Sequence, residues 1–168
     1  SKATKTNMFL GSSGSMPQIV CLPAPSFTTR LGLQYAIEAC LKLAPQGSCS
    51  GGEHGPIAKW GVSKVKDMSG IFANCDAFNG DLSKWDVSRT TDMVSMFESA
   101  VAFNGDISNW DTSDVTEMSS MFESGASFNR DISKWEVSKV TSMKRMFSFA
   151  AAFNVDISKW VVVRVSNM

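Results

Sequence analysis

Four aspartates, Asp81, Asp106, Asp131 and Asp156, recur at an interval of 25 residues. A column of carboxylates at fixed spacing is the feature of this chain with the most direct chemical potential. Stacked carboxylates hold calcium in some β-helical proteins, but those have a repeat of about nine residues and glycine-rich loops. Here the period is 25 and each Asp precedes an Ile or Leu. The competing reading is structural: a side chain that accepts hydrogen bonds from backbone N–H groups in its own turn. Like charges ~5 Å apart repel by only ~1 kcal/mol in water, so a surface column is tolerable without a cation. The structural reading is preferred.

The remaining candidates for chemistry are fewer. Asn79, Asn104, Asn129 and Asn154 form a second polar column. Asn tolerates left-handed backbone and bonds its own chain two residues on, so the column reads as a turn device. His54 is the only histidine, and the cysteines lack metal-ligand spacing, so no zinc site is supported. No nucleophile–base–acid set stands out among the many serines, and no phosphate-cradling glycine loop occurs. No cofactor is implied, and the chain reads as non-enzymatic. Of the four cysteines, Cys75 shares a column with Ala100, Gly125 and Ala150 and reads as buried. Cys40 and Cys49 bracket a turn and are the candidate disulfide, with Cys21 left over or bridging to one of them. Four cysteines allow three full pairings, and sequence does not choose among them. A disulfide would point to an extracytoplasmic or lumenal compartment.

What must position these groups is a repeat. Trp60, Trp85, Trp110, Trp135 and Trp160 keep the 25-residue interval, as do Phe72, Phe97, Phe122 and Phe147, and Phe78, Phe103, Phe128 and Phe153. Eight of the ten methionines are in register. Such columns are core rather than a metal or binding surface. Within the unit 81–105, residues 81–87 read as a brief strand. Ser88 then stands as a helix N-cap, and Met93, Met96, Phe97 and Ala100 follow at helical spacing. One unit cannot bury enough to fold alone, so stacking is compulsory. The expected fold is an α/β repeat solenoid, like a leucine-rich repeat, with one short parallel strand and one short helix per turn.

Ahead of the repeats, residues 29–44 read as a helix on the stripe Leu33, Ile37, Leu41 and Ala44, ended by Pro45 and Gly47. Three segments follow: 1–28, an arm that is flexible or held by a partner; 29–55, a cap helix and loop; and 56–168, about four and a half repeats. Ser1 stands where a Met would begin a chain, and Trp160 to Met168 match only the opening of a repeat. The expectation is a processed or partial chain, in which either further repeats or a partner cover the last turn.

Charge is balanced at 16 basic and 16 acidic residues, so nothing draws the chain to nucleic acid or anionic membrane. No apolar run approaches the roughly 18 residues of a transmembrane helix. Membrane contact, if any, is indirect.

The pattern W-x-V-S-x-V-T-x-M-x-x-M-F-x-x-A-x-x-F-N-x-D-I-S resembles the BspA-like repeat, over roughly residues 55–168. That family is grouped with leucine-rich repeats and occurs on bacterial cell surfaces and in many unicellular algae. The lead-in from Ala39-Cys40-Leu41 through Cys49 to Gly55-Pro56-Ile57 is similar to that of algal members, dinoflagellates among them. The resemblance implies a non-catalytic structural or interaction protein. One home it suggests is a peripheral subunit docked on a large organellar membrane complex, such as a photosynthetic one in the plastid. The other is a secreted or cell-surface protein of adhesion.

The departures from the repeat indicate where a protein partner would bind. Phe149 stands where earlier units have Asn74, Ser99 and Ser124, and Val155 replaces Gly80 and Gly105. Val161 and Val163 replace Asp86 and Ser88. With Met8 and Phe9 of the N-terminal arm, these are the candidate partner contacts.

Overall fold

The computed structural model describes residues 25–168. Met8, Phe9 and Cys21 lie outside the described residues. The one α-helix among these residues, α1, spans Arg30–Leu43. Thr29 caps it, its Oγ1 accepting from the Gly32 N–H at 3.2 Å. Leu33, Ala36, Ile37 and Cys40 are its buried side. A single 3-10 turn, Ile57–Lys59, opens the first repeat.

Beyond it the chain is neither helix nor sheet, and the expected α/β repeat solenoid is not formed. Among the described residues there is no extended strand. Parallel pairing is confined to isolated single-residue bridges, Ser26 with Gly61, and Asp67, Asp92, Glu117, Ser142 and Asn167 in succession. The strand expected over 81–87 is a pair of tight turns instead. The Trp85 N–H donates to the Leu82 carbonyl at 3.0 Å, and Asp81 Oδ1 accepts from both Ser83 N and Ser83 Oγ. Ser88 caps no helix, because its N–H and its hydroxyl both go to Asp86 Oδ1.

The helix expected from Met93, Met96, Phe97 and Ala100 is absent for a related reason. Ser95 and Ser99 have φ of +55° and +56°, which an α-helix does not allow. Along this strip the amides alternate between two fates. Met96, Glu98 and Ala100 donate to carbonyls three residues back, at 3.2, 3.2 and 3.0 Å. Met93, Ser95, Phe97 and Ser99 donate across to Glu117, Ser119, Met121 and Glu123 of the next repeat, at 2.8–3.0 Å. The same strip in the repeat before donates from Met68, Gly70, Phe72 and Asn74. A chain of successive turns thus presents every fourth and third residue inward, as a helix would, while binding its neighbour as a strand would.

The core runs as ladders through these turns. Phe72, Phe97, Phe122 and Phe147 lie nearly parallel with centroids 5.4, 5.6 and 5.7 Å apart. Phe78, Phe103, Phe128 and Phe153 form a second ladder at 5.7, 6.0 and 6.2 Å. Within each unit the two rings stack at 3.8–4.1 Å. Where a threonine enters the core its hydroxyl is used: Thr90 Oγ1 donates to Val65 O at 3.1 Å and Thr112 Oγ1 to Glu136 O at 2.9 Å.

Candidate functional site

The polar columns resolve into local devices. Asp81, Asp106, Asp131 and Asp156 each accept from the N–H two residues on, at 2.9–3.0 Å. In Asp81 and Asp106 the Ser hydroxyl adds a second bond of 2.7 Å. The Ser83, Ser108, Ser133 and Ser158 bonds hold these carboxyls below the ordinary aspartate range, and neighbouring lysines or Arg130 help. Asp111 and Glu136 are lowered the same way by Ser113 and Ser138. Among the described residues no group of three His, Cys, Asp or Glu side chains is arranged to hold a metal ion.

The Asn column works differently from the local bond its residue type suggests. Each side-chain oxygen reaches the next unit: Asn79 Oδ1 accepts from Asn104 N, Asn104 Oδ1 from Asn129 N and Asn129 Oδ1 from Asn154 N, at 2.9–3.1 Å. His54 lies beside Trp60 and Phe27, its ring edge-on to both at 5.9 and 5.6 Å. Its carbonyl accepts from Trp60 Nε1 at 3.1 Å.

The two ends of the repeat array differ. At the first repeat α1 closes the array. Arg30 Nε donates to the Ser69 carbonyl at 2.6 Å, and Gly47, at φ +89°, lies so close to the Phe78 ring that a Cβ would collide with it. Cys40 and Cys49 are paired across the turn after α1, with Cα atoms 5.2 Å apart. Cys75 has no disulfide partner among the described residues; it is half-buried, and burial pushes its thiol pKa up.

At the last repeat the columns open to solvent. A cleft of about 620 Å³ is lined there by Met143, Met146, Phe147, Ile157, Trp160 and Val162, together with Arg145 and Met168. Of the sequence-selected contacts, Phe149 is 80 % exposed, Val163 82 % and Val161 53 %, while Val155 is half-buried. None of these four lines the cleft. Val155 lines a separate, polar depression with Asp131, Asp156 and Lys159. The cleft's own residues escaped notice because they obey the repeat. Their columns are core in earlier turns, and the signal lies in register: Met93 and Met118 are fully buried, while Met168 is 79 % exposed.

Among the described residues no helix is long and apolar enough to cross a membrane. No curated protein and no solved structure matches the chain. Residues 47–160, the whole run of complete repeats with its lead-in, match the model of the family described as "Mycoplasma protein of unknown function, DUF285", and the chain belongs to that family.

Proposed function

We propose that the chain is a non-catalytic interaction protein, a peripheral accessory subunit held on a larger assembly through its last repeat. The observation that carries this reading is Phe149. The residue has φ +58°, a conformation that costs a bulky side chain about 1–2 kcal/mol. The residue is 80 % exposed, so burial among the described residues does not offset the strain. Asn74, Ser99 and Ser124 hold the same backbone position with φ of +56° to +58°, and these types suit it better. An aromatic there supports a contact with something other than the described turns. Val161 and Val163 extend the apolar surface, which a partner's core contacts would cover.

The paired Cys40 and Cys49 support an extracytoplasmic or lumenal home. Similarity of the lead-in to algal repeat proteins supports an organellar membrane complex, a photosynthetic one in particular. The hydroxyl and carboxylate pairs that chemistry would require are engaged in turns, which supports a non-catalytic role.

Cross-linking mass spectrometry on a native extract tests the reading, using Lys144 and Lys159 near the open end and Lys2 and Lys5 in the N-terminal arm. Links to one dominant assembly are expected. Links confined to the chain itself, or to cell-envelope material, would replace it with an adhesion protein.

A further inference from the structure

Four asparagines share one column, but the residues that follow them differ. Asn79 and Asn104 each precede a glycine, Asn129 precedes Arg130 and Asn154 precedes Val155. Packing favours the two glycines. A Cβ on Gly80 would lie 2.8 Å from the Phe78 ring and 3.1 Å from the Gly47 carbonyl oxygen. One on Gly105 would lie 3.0 Å from the Phe103 ring and 3.1 Å from the Gly80 carbonyl oxygen. Glycine admits that close approach. It also leaves an unshielded main-chain nitrogen next to a side-chain amide, and the two form a reactive pair.

The array supplies what the reaction needs. Among the described residues neither the Gly80 nor the Gly105 N–H donates a hydrogen bond, so the nucleophile gives up no bond when it attacks. The electrophile is polarised: Asn79 Oδ1 accepts from Asn104 N at 2.9 Å and Asn104 Oδ1 from Asn129 N at 3.1 Å. A backbone donor there stabilises the charge that develops on this oxygen when its carbon becomes tetrahedral. Asn79 is exposed and Asn104 half-buried. Asn79, Gly80 and Asp81 open into a hollow of about 500 Å³, with room for water to enter and ammonia to leave.

We propose that Asn79 and Asn104 are sites of self-modification, at which two amides of the column become carboxylates through a cyclic imide. The Gly80 nitrogen bonds to Asn79 Cγ, the Cγ–Nδ2 bond breaks, and ammonia leaves with the proton of the Gly80 amide. Water then opens the ring, and nothing is oxidised or reduced. Addition at Cγ gives aspartate. Addition at the main-chain carbonyl gives isoaspartate, whose backbone runs through the side chain. Asn104 and Gly105 react in the same way, and neither site requires a partner or an enzyme. Aspartate keeps an oxygen for the N–H of the next unit, so the tie between repeats survives. Each site adds one negative charge, and a chain with no net charge turns acidic along one column as it ages.

Asn129 provides the control. Its Oδ1 accepts from Asn154 N at 2.9 Å, and among the described residues the Arg130 N–H is unbonded as well. The Arg130 side chain, which crowds its own nitrogen, sets this site apart. Arg130 is exposed, so Arg130→Gly should fold, which circular dichroism checks.

The test is peptide mapping by mass spectrometry on the full folded chain, held at neutral and at mildly alkaline pH, with an isoaspartyl methyltransferase assay alongside. Asn79 and Asn104 should convert to mixtures of aspartate and isoaspartate, faster at the higher pH because the attacking nitrogen must lose its proton. Asn129 and Asn154 should convert at least tenfold more slowly, and Arg130→Gly should speed Asn129 at least tenfold. Synthetic peptides of residues 76–84 and 101–109 measure the reaction without the array, and the folded chain should be no more than threefold slower than they are. Slower conversion than that shows that the array protects its amides and overturns the proposal. So does similar conversion at all four asparagines, or an Asn129 that stays unreactive in the folded Arg130→Gly chain.

Discussion

Trp110 Nε1 donates to the carbonyl of Leu82 at 3.1 Å, crossing from one repeat into the one before it. The same bond joins Trp85 to Ile57, Trp135 to Ile107 and Trp160 to Ile132. Each indole therefore fills its own turn and fastens it to its predecessor. Trp110→Ala should destabilise the chain by about 3–5 kcal/mol through the cavity alone. Trp110→Phe keeps much of the packing but strands a buried carbonyl, at about 1–3 kcal/mol. Urea midpoints of the three proteins should fall in that order, and equal midpoints for Trp110→Phe and the parent would remove the bond from the account.

Acid should loosen the array. The carboxyls of Asp81, Asp106, Asp111, Asp131, Glu136 and Asp156 sit below their ordinary values in the folded chain. As pH falls, the unfolded chain takes up protons first. The stabilisation is thus complete above the unfolded values, about 4, and is lost as pH drops through the lower folded ones. Urea midpoints measured from pH 7 to pH 3 should hold steady and then fall. Asp106→Asn keeps an Oδ1 acceptor for Ser108 and cannot titrate, so its midpoint should fall less steeply. A profile as steep as the parent's would count against this cause.

Deletion separates register from length. Removing residues 106–130, one whole unit, rejoins two faces that already match, and a folded shorter protein is expected. Removal of 106–117 breaks every ladder. Circular dichroism and thermal unfolding compare the two, and similar melting of both would contradict the in-register array.

Gly47 closes the Phe78 end of the second ladder. Gly47→Ala places a methyl against the ring at a left-handed backbone, and a loss of about 1–3 kcal/mol is expected. A neutral result in thermal unfolding would mean that the cap loop moves away without loss.

Phe149→Gly should act in opposite senses on stability and binding. Relief of the left-handed strain should raise stability by about 1 kcal/mol, while cross-links from Lys144 to the partner should weaken. A variant that is less stable would show that the ring packs usefully within the chain.

The period was legible because spacing survives whatever backbone carries it, and the family match spans the same repeats. The backbone was not. Met93, Met96, Phe97 and Ala100 have the spacing of a helix face, and a row of turns with left-handed residues at Ser95 and Ser99 turns the same four side chains inward. Periodicity records which residues are buried, and two backbones can bury the same set. The polar residues separate them. An Asp two before a Ser, as in Asp81 and Ser83 or Asp86 and Ser88, marks a turn closed by its own carboxylate. Asn74, Ser99 and Ser124 in one column mark a position with positive φ. The departures at Phe149, Val161 and Val163 were legible as breaks in a column. The cleft beside them was not, since Phe147, Trp160 and Met168 break nothing.

The hydrogen bonds between neighbouring repeats have an electrostatic result. The amides of Met93, Ser95, Phe97 and Ser99 reach forward to the next unit, while those of Thr116 and Ser127 reach back to Thr91 and Val101. Amide dipoles that oppose one another largely cancel, as they do in a sheet, and do not add from tier to tier as in a helix. The array therefore grows by whole units without building up a field along its axis, and a chain with no net charge stays electrically even along its length.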